Sequence, residues 1–306
     1  MTEPKQPPMF GILNVNKPMF ATSRAAVNRI QSIVRPEKVG HAGTLDPMAT
    51  GVLLVAVGRA TRLVSRLQDL PKVYKAKFIF GQISDTDDSS GKVESTGEVT
   101  PSASQIAELL PNFHGEIEQV PPAFSAVHVD GKRAYKLARK GVAVELRPRT
   151  VRVDRIELLG GGEGAEFEFE IECGSGTYIR SIARDLGQQL GCGALMSALQ
   201  RTRIGNFTSD AALCIGGGAD PRIELSHDDI TGSLQSPLDA LPGMRRHECD
   251  ADETRMVRLG RPIRIPEIDS NAEIAMISDA GKLIAIASLN RKTGELHPRL
   301  VFDSLQ

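Results

Sequence analysis

Residues 166–173 read EFEFEIEC, in which Phe167, Phe169, Ile171 and Cys173 alternate without a break with glutamates. In an extended chain successive side chains point to opposite faces, so this segment predicts a strand with one apolar face and one acidic face. Such a strand needs neighbours in a sheet, and the chain supplies them. Val52–Val57 (VLLVAV) holds no polar side chain and reads as a strand buried on both faces. Tyr74–Phe80 (YKAKFIF) alternates in part, with Tyr74, Ala76, Phe78 and Phe80 on one face and Lys75, Lys77 and Ile79 on the other. Residues 11–16 (GILNVN) form a further short strand ending at Lys17-Pro18.

Helical patterns lie between these strands. Thr22 or Ser23 caps a helix through Ala25, Ala26, Val27, Ile30 and Ile33, and a basic helix is expected near Arg59–Leu67. Ser102 and Gln105 make a capping box ahead of Ile106, Leu109 and Leu110. Gly174-Ser175-Gly176 leads into a helix capped by Thr177, with Ile179, Ile182, Ala183, Leu186 and Leu190 on its apolar side. The fold class is α+β. Residues 119–150 are basic and turn-rich, and predict a hairpin at Asp130-Gly131 followed by a short helix ended by Gly141. After about residue 210, Gly216–Gly218, a run of Asp and Ser, and Pro237 to Pro242 read as a linker. Short β-like pieces follow at Pro262–Ile265, Ile274–Ile277, Leu283–Leu289 and Arg299–Phe302, predicting a small β-rich appended domain over 245–306.

A chain of 306 residues, 41% hydrophobic and 25% charged, suits a soluble globular protein with one large domain and one small one. No apolar run approaches a membrane span, and MTEPKQPPMF does not read as a signal peptide. Cys173, Cys192, Cys214 and Cys249 are widely spaced with no CxxC pair, as expected of reduced thiols in the cytoplasm. The net charge of −1 hides segregation. Residues 1–80 hold 12 Lys/Arg against 4 Asp/Glu, residues 81–120 hold 1 against 8, and residues 121–160 hold 9 against 4. Such blocks suit either a polyanion-binding face or plain solvation.

The stretch GHAGTLDPMATGVLL (40–54) sets one carboxylate, Asp46, in a loop of small, turn-prone residues just before the apolar run. Taken alone, that pattern is most simply an Asx-turn. Phosphate and dinucleotide loops, HExxH and GxSxG are absent from the sequence. The DTDDSSG stretch (85–91) fails as a calcium loop, because Ser90 stands at the turn glycine and Thr96 at the bidentate glutamate. The six histidines are scattered, with no metal-ligand spacing. The residues themselves predict an α+β protein with basic faces, and no cofactor and no metal.

Several separated segments, in order, resemble the TruB family, whose members make pseudouridine at position 55 in the tRNA T-loop. They are GILNVNKP with TSR (11–24), GHAGTLDPMATGVLLVAVGRATR (40–62), K-x-Y-K-A (72–76), QVPPAFSA (119–126), DGKRAYKLARKG (130–141), GTYIRSIARDLG (176–187) and GCGALMSALQRTRIG (191–205). The resemblance implies a mixed, largely antiparallel central sheet with flanking helices in a catalytic domain over 1–240. It also implies an RNA-binding thumb over about 119–150 and a PUA-like domain over 245–306. The implied reaction breaks the N1–C1′ bond of a flipped-out uridine and remakes the link through C5, with no redox change. Asp46 matches the catalytic aspartate, Arg180 the arginine paired with it, and Tyr74 the tyrosine that stacks on the target base and assists the late proton removal. Tyr178 and Leu199 match residues packing around the flipped nucleotide, and His41 a histidine contacting the RNA. Lys17-Pro18 matches the pocket wall, with a phosphate contact as the other role for Lys17. Asp88 reads either as a polar contact at the pocket edge or as an exposed loop acid. Lys132, Arg133, Lys136, Arg139 and Lys140 suit phosphate contacts. The expected partner is the tRNA T-arm, bound by a monomer.

Attack at C1′, attack at C6 and a glycal route all remain open at this stage. So does an RNA-folding factor in which catalysis is secondary, with a small-molecule lyase as a third reading. The chain departs from the family pattern at Phe20, where glycine is usual, and at Asn16, Phe124 and His128.

Overall fold

In the computed structural model, residues 8–129, 131–161, 164–216, 224–265, 273–290 and 292–303 are described. The glutamate-alternating segment becomes the strand Glu166–Cys173, with Phe167, Phe169, Ile171 and Cys173 buried. It pairs antiparallel with Lys72–Phe80 on one side and Arg149–Gly161 on the other. Across the first pair Phe169 stacks on Phe78 at 4.6 Å between ring centroids, and Phe167 meets Phe80 edge-on at 5.7 Å. Aromatic pairs of this kind add about 0.5–1.5 kcal/mol beyond the area they bury.

The central sheet has ten strands. Its main path runs Leu213–Cys214, Phe10–Lys17, Thr50–Gly58, Ala194–Ile204, Lys72–Phe80, Glu166–Cys173, Arg149–Gly161, Gly115–Gln119. Val39–Ala42 and Phe207–Thr208 pair off this path. Two neighbouring pairs on the path are parallel, Leu213–Cys214 with Phe10–Lys17 and Ala194–Ile204 with Thr50–Gly58, and the remainder are antiparallel. The sheet is therefore mixed and largely antiparallel. Thr50–Gly58 lies inside it, and every residue from Gly51 to Gly58 is buried, which explains its unbroken apolar sequence. Gly51 is required where this strand meets Ala194–Ile204. Its φ is +97°, and a Cβ there would sit 2.2 Å from the Arg201 carbonyl oxygen.

Helix Ile179–Gln189 buries Ile179, Ile182, Ala183 and Leu186 against the sheet. Gly187 lets it approach, since a Cβ would lie 2.2 Å from the Ala194 nitrogen. Thr177 is not its cap. Tyr178 occupies that position with no side-chain cap bond, and the Thr177 hydroxyl turns back to the Gly174 and Arg152 carbonyls. Thr22 caps Ser23–Ile33, and the Ser102–Gln105 capping box opens Ala103–Leu109.

The basic section 120–148 leaves and re-enters the sheet between two strands that pair directly, Gln119 opposite Arg149. It carries the small hairpin His128–Val129 with Lys132–Arg133 and the helix Ala134–Ala138. Asp130 lies outside the described residues.

The expected linker after residue 210 is partly structured. Leu213–Cys214 adds an edge strand, His227–Gly232 is a capped helix, and Gln235 exchanges both backbone hydrogen bonds with Ile12. Part of the glycine run lies outside the described residues.

A second sheet follows, in the order Arg245–Glu248, Ile274–Ile277, Leu283–Asn290, Glu295–Val301, Ile263–Arg264. The strand at 245–248 and the helix Ala251–Arg258 were not foreseen from the sequence. This sheet docks on the first through a shared apolar cluster including Ile12, Leu63, Leu67, Ala275, Ile286 and Phe302. Phe302 stacks on Phe10 at 5.2 Å, and Arg59 and Arg62 donate to the carbonyls of Phe302 and Val301. Among the described residues no helix is long and apolar enough to cross a membrane.

Candidate active site

Asp46 sits in the connection between Val39–Ala42 and Thr50–Gly58. Its loop is held almost carbonyl by carbonyl. Ser23 donates to the Leu45 carbonyl and accepts from the Leu45 nitrogen, both through its hydroxyl. The Ala49 nitrogen donates to the Asp46 carbonyl, and the Phe20 nitrogen to Pro47. Arg201 donates to Gly43. A loop whose backbone groups are satisfied in this way presents its side chain in one place.

The Lys17 ammonium is buried and donates to the carbonyls of Pro18 (2.8 Å), Ala21 (2.7 Å) and Pro47 (3.3 Å). An ammonium has three N–H donors, so none is left for an RNA phosphate. Of the two roles expected for Lys17, pocket wall or phosphate contact, these bonds leave no donor free for the second, and the ammonium braces the Pro18, Ala21 and Pro47 backbone. Burial lowers its pKa to about 8, against the pull of the Asp46 carboxylate.

Arg180 comes from the first turn of Ile179–Gln189 and is buried, although a cation there faces the positive end of the helix dipole. Its guanidinium is matched by acceptors from three segments. Nη2 donates to Asp46 Oδ1 at 3.2 Å and to the Phe124 carbonyl at 3.1 Å, and Nη1 donates to the Thr86 carbonyl at 2.9 Å. Nε lies 3.0 Å from Asp46 Oδ2 as an ion pair without hydrogen-bond geometry, and Nη1 lies 3.6 Å from Asp88 Oδ2. Asp88 is only 3% exposed, so the exposed-acid alternative is wrong. Its Oδ1 accepts from the Thr86 hydroxyl and the Ser90 nitrogen, which fastens the 85–91 loop over the arginine.

One third of the Asp46 side chain remains open to solvent while the arginine beneath it is closed off. Burial raises the Asp46 carboxyl above its usual range. Arg180 opposes that shift, the Asp88 carboxylate adds to it, and Lys17 opposes it more weakly. The result is a carboxylate kept accessible, with a cation set to hold it ionised.

Tyr74 is buried beside this pair, with the Arg201 guanidinium 6.0 Å from its ring centroid. Burial raises its phenol above the ordinary value, so the resting hydroxyl is neutral. Leu199 packs in one cluster with Leu45, Ala49 and Tyr74. Tyr178 stands two residues before Arg180, half-buried, with the Arg149 guanidinium 4.8 Å above its ring. His41 lies on the strand leading into the Asp46 loop, and its pKa is lowered by burial and by Arg24 and Arg201. No hydrogen bond joins it to Asp46, and its Nδ1 is buried without a partner. Lys132, Arg133, Lys136, Arg139 and Lys140 are exposed on the 120–148 excursion. That excursion is rooted on the Arg180 helix, since both Ser181 and Arg184 donate to the Val120 carbonyl.

Sequence reasoning missed two residues of this assembly. Gln119 is buried, and its amide donates to the Tyr178 carbonyl (3.1 Å) and accepts from the Tyr178 nitrogen (2.8 Å), fixing the helix that carries Arg180. Arg201 is 1% exposed. Its signal was a charge two residues beyond Leu199, on the inward face of a strand. The expectation of no metal set also needs qualification. His247, Cys249 and Glu253 place their ligand atoms within 4.8 Å of one another in the C-terminal sheet region. Glu253 Oε2 meets both His247 Nε2 and the Asp250 nitrogen there, so the group reads as a capped helix end.

A buried arginine thus holds a part-open loop aspartate near a buried tyrosine, on a mixed, largely antiparallel sheet with an exposed basic excursion. A solved Cbf5–Nop10–Gar1 complex contains a chain 28% identical to this one, with a TM-score of 0.68, covering 97% of this chain and 84% of that one. In sequence, a tRNA pseudouridine synthase B of Brucella anthropi is 37% identical, with 97% of each chain covered. One of Rhizobium etli is 37% identical, with 99% of this chain and all of the other covered. The profile of the TruB family pseudouridylate synthase N-terminal domain matches residues 31–179, and that of the tRNA pseudouridylate synthase B C-terminal domain matches 180–215. The chain belongs to the TruB family of pseudouridylate synthases.

Proposed function

We propose that this protein converts uridine to pseudouridine at position 55 in the T-loop of tRNA, acting on the T-arm as a cytoplasmic monomer. The observation that carries the reading is Asp46, a part-open carboxylate held by buried Arg180 in a loop with satisfied backbone groups. Asp46 acts as the nucleophile toward a flipped-out uridine, because a stacked base cannot offer its reacting carbons to a fixed carboxylate. The N1–C1′ bond breaks, the base turns, and C5 bonds to C1′. A proton leaves C5 and one is gained at N1, so no redox partner or cofactor enters the balance. Tyr74, neutral at rest, offers its ring to the base, and Tyr178 and Leu199 close around it. His41 and the basic side chains of the excursion contact the RNA. One chain supplies Asp46, Arg180 and Tyr74, so a monomer holds the whole site.

The exposed basic excursion also favours a second reading, a tRNA-folding factor with catalysis secondary. One experiment separates the two. A T-arm RNA is incubated with the parent protein and with Asp46→Asn, and pseudouridine is mapped by position. The expected result is product at position 55 with the parent and none with the variant, with tRNA binding retained. Turnover by Asp46→Asn would overturn its role, product elsewhere would overturn the specificity, and refolding of tRNA by the inactive variant would support the second reading.

A further inference from the structure

We propose that Arg201 is a positioning residue for this reaction, its buried guanidinium gripping both ends of the Asp46 loop and underlying Tyr74. The inference deepens the isomerase reading and rests on it. Arg201 lies on Ala194–Ile204, in register with Tyr74 on one side and Gly51 on the other. Its Nε donates to the Val52 carbonyl at 2.7 Å, just past the loop, and its Nη2 to the Gly43 carbonyl at 3.2 Å, where the loop starts. The guanidinium carbon stands 6.0 Å from the Tyr74 ring centroid. One planar cation thus ties together three strands and both hinges of the catalytic loop. Arg180 fixes the Asp46 carboxylate itself.

The charge makes a purely space-filling role a poor explanation. Arg201 is 1% exposed, and no carboxylate among the described residues lies within ion-pair distance of it. An unpaired buried guanidinium is costly compared with an apolar side chain of similar volume. Its effect reaches outward, since it lowers the pKa values of Lys17, His41 and Lys72 and draws the Tyr74 phenol down against burial. What the guanidinium supplies, and a methionine lacks, is a rigid fork that reaches two carbonyls at once.

Arg201→Met and Arg201→Lys test the idea with T-arm RNA, read as kcat and KM separately and beside thermal melting. A misplacement of about 1 Å costs on the order of 100-fold in rate. Arg201→Met should therefore lose about 100-fold in kcat with KM changed less than about threefold. Arg201→Lys, able to reach one carbonyl, should recover to within about tenfold of the parent. Combined with Tyr74→Phe, the kcat loss of Arg201→Met should be less than additive. Amide exchange over residues 43–52 reads the clamp without catalysis, and should quicken by at least about tenfold in Arg201→Met while 72–80 stays protected. A parent protein that makes no pseudouridine would sink the isomerase reading and leave the exchange result standing. The inference is overturned by native kcat and native loop exchange in Arg201→Met. It is equally overturned by losses that follow the melting temperature and appear in kcat and KM alike, or by failure of both variants to fold. In those cases Arg201 supports the sheet and not the loop.

Discussion

Replacing Arg180 with Met removes the cation from a pocket holding two carboxylates, Asp46 and Asp88. At 3.0 Å and an effective dielectric near 20, the Asp46–Arg180 attraction is about 5 kcal/mol. A third of the Asp46 side chain faces solvent, which scales the effective value toward about 2–3 kcal/mol. In the variant, burial and Asp88 push the carboxyl up with only Lys17 opposing them. The ionised fraction near neutral pH then falls, and kcat falls with it before any loss of orientation is counted. Single-turnover rates across pH are the assay. The parent rate should rise with pH through the Asp46 ionisation and then level. The Arg180→Met profile should rise at higher pH than the parent's, so that alkali restores part of the activity. The sign for stability follows from proton uptake. With its folded pKa above its unfolded one, Asp46 binds more protons folded, so it destabilises the variant increasingly as pH rises through that window. A variant within about tenfold of the parent at neutral pH, with an unshifted profile, would refute the charge argument.

Three further outcomes are expected. Phe20 is 69% exposed and sits at φ +63°, where a side chain is strained, so Phe20→Gly should raise stability by up to about 1 kcal/mol in urea unfolding, and a loss would show that the ring makes a contact worth more than the strain. Gln119→Leu leaves the Tyr178 nitrogen without its acceptor and its carbonyl with Ile182 as donor, so it should cost about 1–3 kcal/mol and lower kcat as the Arg180 helix loosens, and an unchanged melting curve would argue against the brace. Phe302→Ala, at the seam between the two sheets, should cost about 3–5 kcal/mol and split urea unfolding into two steps, whereas one transition with under about 1 kcal/mol lost would show that the seam is not what couples them.

Much of the fold was legible because it is written in short periods. The alternation at 166–173, the unbroken apolar run at 52–57 and the capping residues Thr22 and Ser102 all act within a few residues of themselves. The thumb-like section was legible as charge, and Asp46 as a carboxylate in a loop of small residues. Local rules failed where a side chain answers to a distant partner. Thr177 has the composition of a cap, yet its hydroxyl turns to Arg152 and Gly174. Lys17 looks like a phosphate contact until its three donors meet three carbonyls.

By itself, then, the sequence determined several strands and helices, among them the strands at 52–57, 74–80 and 166–173 and the helix capped by Thr22, the faces they bury, and which residue types the site can draw on. The resemblance implied that Arg180 pairs with Asp46, but the tertiary structure alone decided that Arg201 joins them by binding the Gly43 and Val52 carbonyls. The physical reason lies in strand order. Ala194–Ile204 is inserted between Thr50–Gly58 and Lys72–Phe80, and that insertion sets a guanidinium beneath a loop 158 residues earlier in the chain. Periodicity fixes a residue's face, but only the pairing of strands fixes what that face meets.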